Sequence, residues 1–285
     1  MTRRSHPLTA SVPHYMRQCR AWFISDTHER HEQLVVPSDV DTVIHCGDEA
    51  NPCDPSQNER GARKFFDWFS NLPMRRRIFV PGNHSTALWH GLIHTDEYPR
   101  IKFVLHERID MHGGLLFGSP YTPSFSEQPW VFKRARNRME QVWESAPPYA
   151  DILVTHGPPK GILDTCWDMR KTNHVARVGC KSLANYVKAI KPRIHAFGHI
   201  HNEKDILNSA ALVTPNTLFL NCAVTDRNYN VVNNGHIVDL IPEAPRSSLL
   251  SLFHPSSFYL PPSPCSTSHA STPSTCSATN CSTSH

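Results

Sequence analysis

Five times along this chain an apolar run rich in β-branched or aromatic residues is stopped by Gly, Ser, Thr or Pro and followed at once by Asp, Asn or His. The runs are 20–25, 42–46, 77–80, 151–155 and 193–197, and they deliver Asp26 and His28, Asp48, Asn83 and His84, His156, and His199 and His201. Short apolar runs bounded by turn formers read as buried strands. In a sheet whose strands run parallel, their ends lie along one edge, where α/β ligand sites form. The pattern therefore constrains the fold to an α/β arrangement that gathers carboxylate, amide and imidazole groups in one place.

Other segments fit that frame. Residues 59–71 place Phe65, Phe66, Trp68 and Phe69 on one helical face, and Leu183, Tyr186, Val187 and Ile190 do the same for 180–190. Further strands are expected at 101–105, 115–118, 217–224 and 236–241, a third helix at 127–145, and a surface loop at 164–176. Strands alternating with helices predict a layered α/β domain. After Arg246 the composition changes: residues 247–285 hold no Lys, Arg, Asp or Glu and are rich in Ser, Thr, Pro and Cys. Such a segment buries too little apolar surface to order itself and reads as a disordered tail. The expected organisation is an irregular lead-in over 1–19, a domain over 20–246 and the tail over 247–285.

Composition excludes several classes. A net charge of +4 on 285 residues is too small to indicate nucleic acid or an anionic membrane by itself. Nine cysteines without a Cys-x-x-Cys pair fit neither a disulfide framework nor a zinc ribbon and favour a reducing compartment. No apolar run reaches the roughly 18 residues that span a bilayer. A cytoplasmic protein is expected. Arg3, Arg4, Arg17 and Arg20, with no acidic residue among the first 25, make a mitochondrial presequence the minor alternative, and Pro7 and Pro13 interrupt any amphipathic helix there.

The eight strand-end residues exceed what one tetrahedral zinc requires, and an N/O set without thiolate suits a pair of first-row divalent cations. Singly the motifs are weak. The strongest is Gly198-His199-Ile200-His201, because imidazoles two apart on an extended segment can straddle two ions. His45 and His195 lie inside runs and are expected to be interior groups; His6, His14, His174 and His254 are expected at the surface. Tyr121 and Trp130 can stack on a base, although core packing explains them equally well.

The ordered set Asp-x-His, Gly-Asp, Gly-Asn-His, His-Gly-Pro-Pro and Gly-His-x-His resembles the calcineurin-like metallophosphoesterase family. Residues 118–123, 152–163, 177–180 and 191–201 resemble the branch called metallophosphoesterase domain-containing proteins, and the likeness covers about 20–242. The resemblance implies a four-layer α/β/β/α sandwich of two mixed β-sheets. It implies that Asp26, His28 and His201 hold one metal ion and Asn83, His156 and His199 another, with Asp48 bridging. It further implies that His84 protonates the leaving oxygen or stabilises phosphoryl charge, and that Asn221 lies near the site. The ions would be manganese, iron, zinc or nickel, manganese favoured. The implied activity is hydrolysis of a small phosphodiester or nucleotide, such as a cyclic nucleotide, by a metal-held hydroxide. Two departures stand out: Ser85 occupies the place of an acidic residue common after Gly-Asn-His, and Glu49-Ala50 replaces the Phe-Thr usual in this branch.

A scaffold that kept the fold and lost turnover is the second function considered, and missing ligands are its usual sign; none of the seven positions is missing here. A nuclease is the third, with basic residues concentrated only at 75–77 and 133–138 and no obvious strand-binding module.

Overall fold

A computed structural model describes residues 19–111, 114–168 and 174–240. Strands β1 (Cys19–Ile24), β2 (Thr42–His45), β3 (Arg76–Phe79) and β4 (Lys102–Phe103) run parallel in one sheet. Strand β5 (Glu107–Met111) begins the second sheet as an antiparallel edge to β6 (Gly114–Ser119). A small pair, β7 (Thr122–Pro123) and β8 (Lys133–Arg134), follows. Next come β9 (Ile152–Thr155), the hairpin β10 (Thr165–Trp167) and β11 (Val175–Arg177), β12 (Ile194–Phe197), β13 (Ala211–Val213) and β14 (Leu218–Asn221). Strand β15 (His236–Leu240) returns to pair antiparallel with β1. The sheet orders are β15-β1-β2-β3-β4 and β13-β14-β12-β9-β6-β5, and both are mixed.

Side-chain alternation builds the layers. Ala21 and Phe23 of β1, Ile44 of β2 and Ile78 of β3 meet Leu116, Ile152, Val154, Ile194 and Leu220 of the second sheet in one buried cluster. The alternate residues, Trp22, Ile24, Val43 and Phe79, face outward onto helix α1 (Pro55–Asn71) through Phe65, Phe66 and Phe69. On the far side Phe117, Leu153, Phe197 and Phe219 pack on helices α2 (Met139–Glu144) and α3 (Lys181–Ile190) through Trp143, Leu183 and Val187. Period-two strands with two apolar faces demand cover on both sides. The result is the expected α/β/β/α stack, in which each fully buried aromatic contributes roughly 2–3 kcal/mol.

Several boundaries differ from expectation. Helix α1 starts at Pro55 because Asp54 caps it, accepting from the Gln57 backbone N–H at 2.9 Å. The span 127–145 is not one helix: it holds β8, a 3-10 turn at Arg136–Arg138 and only then α2. Pro129 disfavours helical geometry at Gln128, and the chain bends there instead, the Trp130 N–H donating to the Gln128 carbonyl at 2.8 Å. The segment 164–176, expected as loop, carries the β10–β11 hairpin. Of the lead-in expected over 1–19, Cys19 already belongs to β1 and 1–18 lie outside the described residues, as does the tail over 247–285; no described helix is long and apolar enough to cross a membrane.

Candidate metal centre

Because β1, β2 and β3 are parallel, as are β6, β9, β12 and β14, their C-terminal ends open on one edge. All eight strand-end residues lie there. Turning from strand to site needs unusual backbone: Asp26, His28, Asp48 and His199 have φ of 54°, 43°, 62° and 67°. Left-handed geometry at non-glycine residues costs about 1–3 kcal/mol each and persists where surrounding contacts enforce it. Two glycines permit the crowding. A Cβ on Gly82 would meet Asp48 Oδ1 at 2.2 Å, and one on Gly198 would meet Asp26 Oδ2 at 2.1 Å.

Two groups of ligand atoms form, each within 4.8 Å: Asp26, His28 and His201, and Asp48, His156 and His199. In the first, His201 Nε2 lies 3.2 Å from Asp26 Oδ1 and 3.3 Å from His28 Nε2. In the second, His156 Nε2 lies 3.2 Å from Asp48 Oδ2 and 2.9 Å from Asn83 Oδ1. The outer ring nitrogens decide what these approaches mean. His156 Nδ1 is 2.8 Å from the Cys46 carbonyl and His201 Nδ1 is 2.9 Å from that of Asp226, so each Nδ1–H donates there. In the neutral rings both Nε2 lone pairs then face other lone pairs, which is the arrangement a cation relieves.

The charges respond as that geometry requires. Burial opposes the charged form of both His156 and Asp48, yet Asp48's carboxylate raises His156 to about 9, and the His156 and His84 rings hold Asp48 well below its usual range. Asp26 is likewise lowered against its burial by the hydrogen bond and charge of His201. Burial, and then the neighbouring His84 and His201 rings, push His28 well below its usual value; burial lowers His199 to about 3. In the absence of metal a proton shared by an imidazole and a carboxylate fills part of the role a cation would fill.

His84 stands apart from both groups. Its Nδ1 lies 2.7 Å from the Asn51 carbonyl, its Nε2 is 3.9 Å from Asp48 Oδ2, and its backbone N–H donates to Asp48 Oδ1 at 2.8 Å. Ser85 explains one departure from the family pattern: its hydroxyl donates to Glu49 at 2.7 Å and accepts from the Gly82 N–H at 3.0 Å. A carboxylate reaches the Gly-Asn-His loop from Glu49 instead. Burial pushes that carboxyl up to about 7, against the lowering effect of the Ser85 hydrogen bond.

Asn221 donates to the carbonyls of Ile200 and Leu163, fixing the peptide between the two site histidines. His45 and His195 are fully buried interior groups: His45 Nδ1 accepts from the Gly47 N–H, and His195 Nε2 lies 2.9 Å from Thr155 Oγ1. His174 is exposed; His6, His14 and His254 lie outside the described residues. Tyr121 packs under the Arg134 guanidinium, 4.5 Å from its ring centre, and its ring also meets that of Phe132.

A cavity of about 210 Å³ opens over the site. Phe125, Cys166, Glu203, Arg227 and Tyr229 help to line it, and none of them was among the residues expected from sequence. Tyr229 packs 4.4 Å from the His28 ring and Phe125 4.9 Å from that of His199. They sit on irregular segments where neither periodicity nor a motif marks them.

Residues 19–203 match the family described as calcineurin-like phosphoesterase. Human "Metallophosphoesterase domain-containing protein 1" is 31% identical over 251 residues, spanning 79% of this chain and 71% of the human protein. The Caenorhabditis elegans "UPF0046 protein K07C11.7" is 30% identical over 255 residues, spanning 83% of this chain and 79% of that one. One solved crystal structure superposes with a TM-score of 0.58 at 17% identity, covering 78% of this chain and 95% of its own, a likeness of fold. With its strand-end motifs assembled at one edge and this match over most of the domain, the chain belongs to the calcineurin-like phosphoesterase family.

Proposed function

We propose that this protein hydrolyses phosphodiesters, small cyclic nucleotides among them, with two divalent cations shared between its two ligand groups. The observation that carries the reading is the convergence of lone pairs: His156 Nε2, Asp48 Oδ2 and Asn83 Oδ1 on one side, His201 Nε2, His28 Nε2 and Asp26 Oδ1 on the other. Asp48 is the shared ligand in this proposal, and manganese the favoured metal. Bound cations would neutralise charge on the phosphoryl oxygens and acidify a water for attack on phosphorus.

The chain's own residues do the rest. Asn51 holds the His84 ring through Nδ1, leaving Nε2 to face the opening above Asp48, where a protonated ring can give its proton to a departing oxygen. The Gly82, Ser85 and Glu49 hydrogen bonds fix the loop that carries Asn83 and His84. Asn221 and the Asp226 carbonyl set the rotamer and tautomer of the histidine segment. In-line displacement at phosphorus needs mainly such positioning.

Hydrolysis of bis-p-nitrophenyl phosphate, p-nitrophenyl phosphate and cyclic nucleotides by manganese-loaded protein tests the proposal. Diester turnover above both a metal-only control and the monoester rate is expected. A protein that binds two ions and turns over none of these substrates is a binding scaffold, and the proposal fails.

A further inference from the structure

A second cavity, of about 460 Å³, lies at the opposite end of the sheets, walled by the starts of β3 and β4 and the end of β5. Five cationic residues line it: Arg75, Arg76, Arg77, Arg100 and Lys102. Asp110 is its single acidic lining residue, and Lys102 is paired with Glu107 at 2.9 Å. Among the described residues no ion pair within 4.0 Å reaches any of the four arginines.

Arg77 makes this more than a charged surface. It is only 6% exposed; its Nη2 donates to the Leu72 carbonyl, and its Nε is buried with no partner. Arg76 Nη1 is also buried and unpartnered. A buried polar group left unmatched costs about 1–3 kcal/mol, and more when charged. Burial, and then the like charge of Arg100, lower the Arg77 guanidinium from its usual value. Four arginines that gather at one cavity without an acidic partner among the described residues give it the charge to hold an anion. Guanidinium forks match the oxygens of phosphate. The cavity is far larger than one inorganic ion, and Ile101, Ile109 and Met111 give it apolar surface, so its occupant has an organic body.

We propose that this groove is a binding site for a small organic phosphate, separate from the metal centre: Arg76, Arg77 and Arg100 take the phosphate and the isoleucine-lined wall takes the body. The proposal does not depend on the reaction catalysed at the other edge.

The test is calorimetric titration of chelator-treated full-length protein with 1-naphthyl phosphate and, separately, inorganic phosphate. Arg75 and Arg100 are exposed, so Arg75→Glu/Arg100→Glu should fold, with an unchanged circular dichroism spectrum as the check. We expect 1-naphthyl phosphate to bind more tightly than inorganic phosphate, and the double variant to weaken it about tenfold or more. Arg134→Glu/Arg136→Glu, in the other basic patch, should bind as the unaltered protein does. No binding, binding indifferent to the Arg75 and Arg100 changes, or tighter binding of a short RNA through these same arginines would each overturn the assignment.

Discussion

The indole of Trp130 lies against the imidazole of His84, ring centres 3.8 Å apart and planes inclined by 31°. The opposite restraint comes from the Asn51 carbonyl at Nδ1, so the ring is held both by its edge and by its face. A contact of this kind is worth about 0.5–1.5 kcal/mol. Trp130→Ala should therefore lower kcat for bis-p-nitrophenyl phosphate by roughly 2- to 10-fold with little change in KM. A raised KM at unchanged kcat would show that the indole contacts substrate and does not position His84.

His84→Ala separates proton delivery from metal binding. Its ring belongs to neither ligand group, so metal content should stay as it was while kcat falls about 10²- to 10⁴-fold. The loss should be smaller for p-nitrophenolate, which leaves without a proton, than for an alkyl leaving group. Equal losses across leaving groups, read by steady-state kinetics, would contradict the role.

Gly198→Ala tests how tightly the first group is built. The added Cβ would sit 2.1 Å from Asp26 Oδ2 and 2.2 Å from Ser25 Oγ, both in fully buried side chains, so the carboxylate must move. Less than the normal metal content by elemental analysis is expected, with the fold retained by circular dichroism. Normal content would mean that Asp26 does not need its present position.

Much of the site was legible because its residues follow strands that glycine or proline cuts short: Gly47 before Asp48, Pro81-Gly82 before Asn83, Gly198 before His199. The packing of α1 and α3 on the two sheets followed from apolar periodicity, as with Phe65, Phe66 and Phe69. Strand β5 was missed because Glu107, Arg108 and Asp110 are exposed on a sheet edge, where charge protects against pairing and hides the apolar pattern. A single helix was expected over 127–145, yet Pro129 and the pairing of Lys133 with Thr122 keep its first part out of the helix. Tyr229 and Arg227 reach the cavity by tertiary folding of an irregular loop, which leaves no trace in local sequence.

Buried neutral histidines should make the metal-free protein acid-sensitive. Burial holds His195 near 3 and, despite a hydrogen bond to the Asn221 carbonyl, His236 near 4, against 6.5 for a free imidazole. Above pH 6.5 these rings are neutral in both states and their contribution is whole. As pH falls from 6.5 towards 4 and 3, the unfolded chain takes up protons that the native chain refuses, so stability drops with pH. Each ring contributes on the order of 1.4 kcal/mol per pH unit inside its window. Urea unfolding of chelated protein should give lower stability at pH 5.0 than at pH 7.5, and His195→Gln should flatten the difference; equal stability at both pH values would refute this.

In the proposed mechanism Asp48 joins two metal positions into one catalytic unit. Elemental analysis of purified protein and its Asp48→Ala variant, alongside bis-p-nitrophenyl phosphate hydrolysis, addresses it most directly. Two divalent ions per unaltered chain are predicted, with metal lost from both positions and turnover abolished in the variant. Full metal content and an unchanged rate in Asp48→Ala would contradict a bridging role for Asp48.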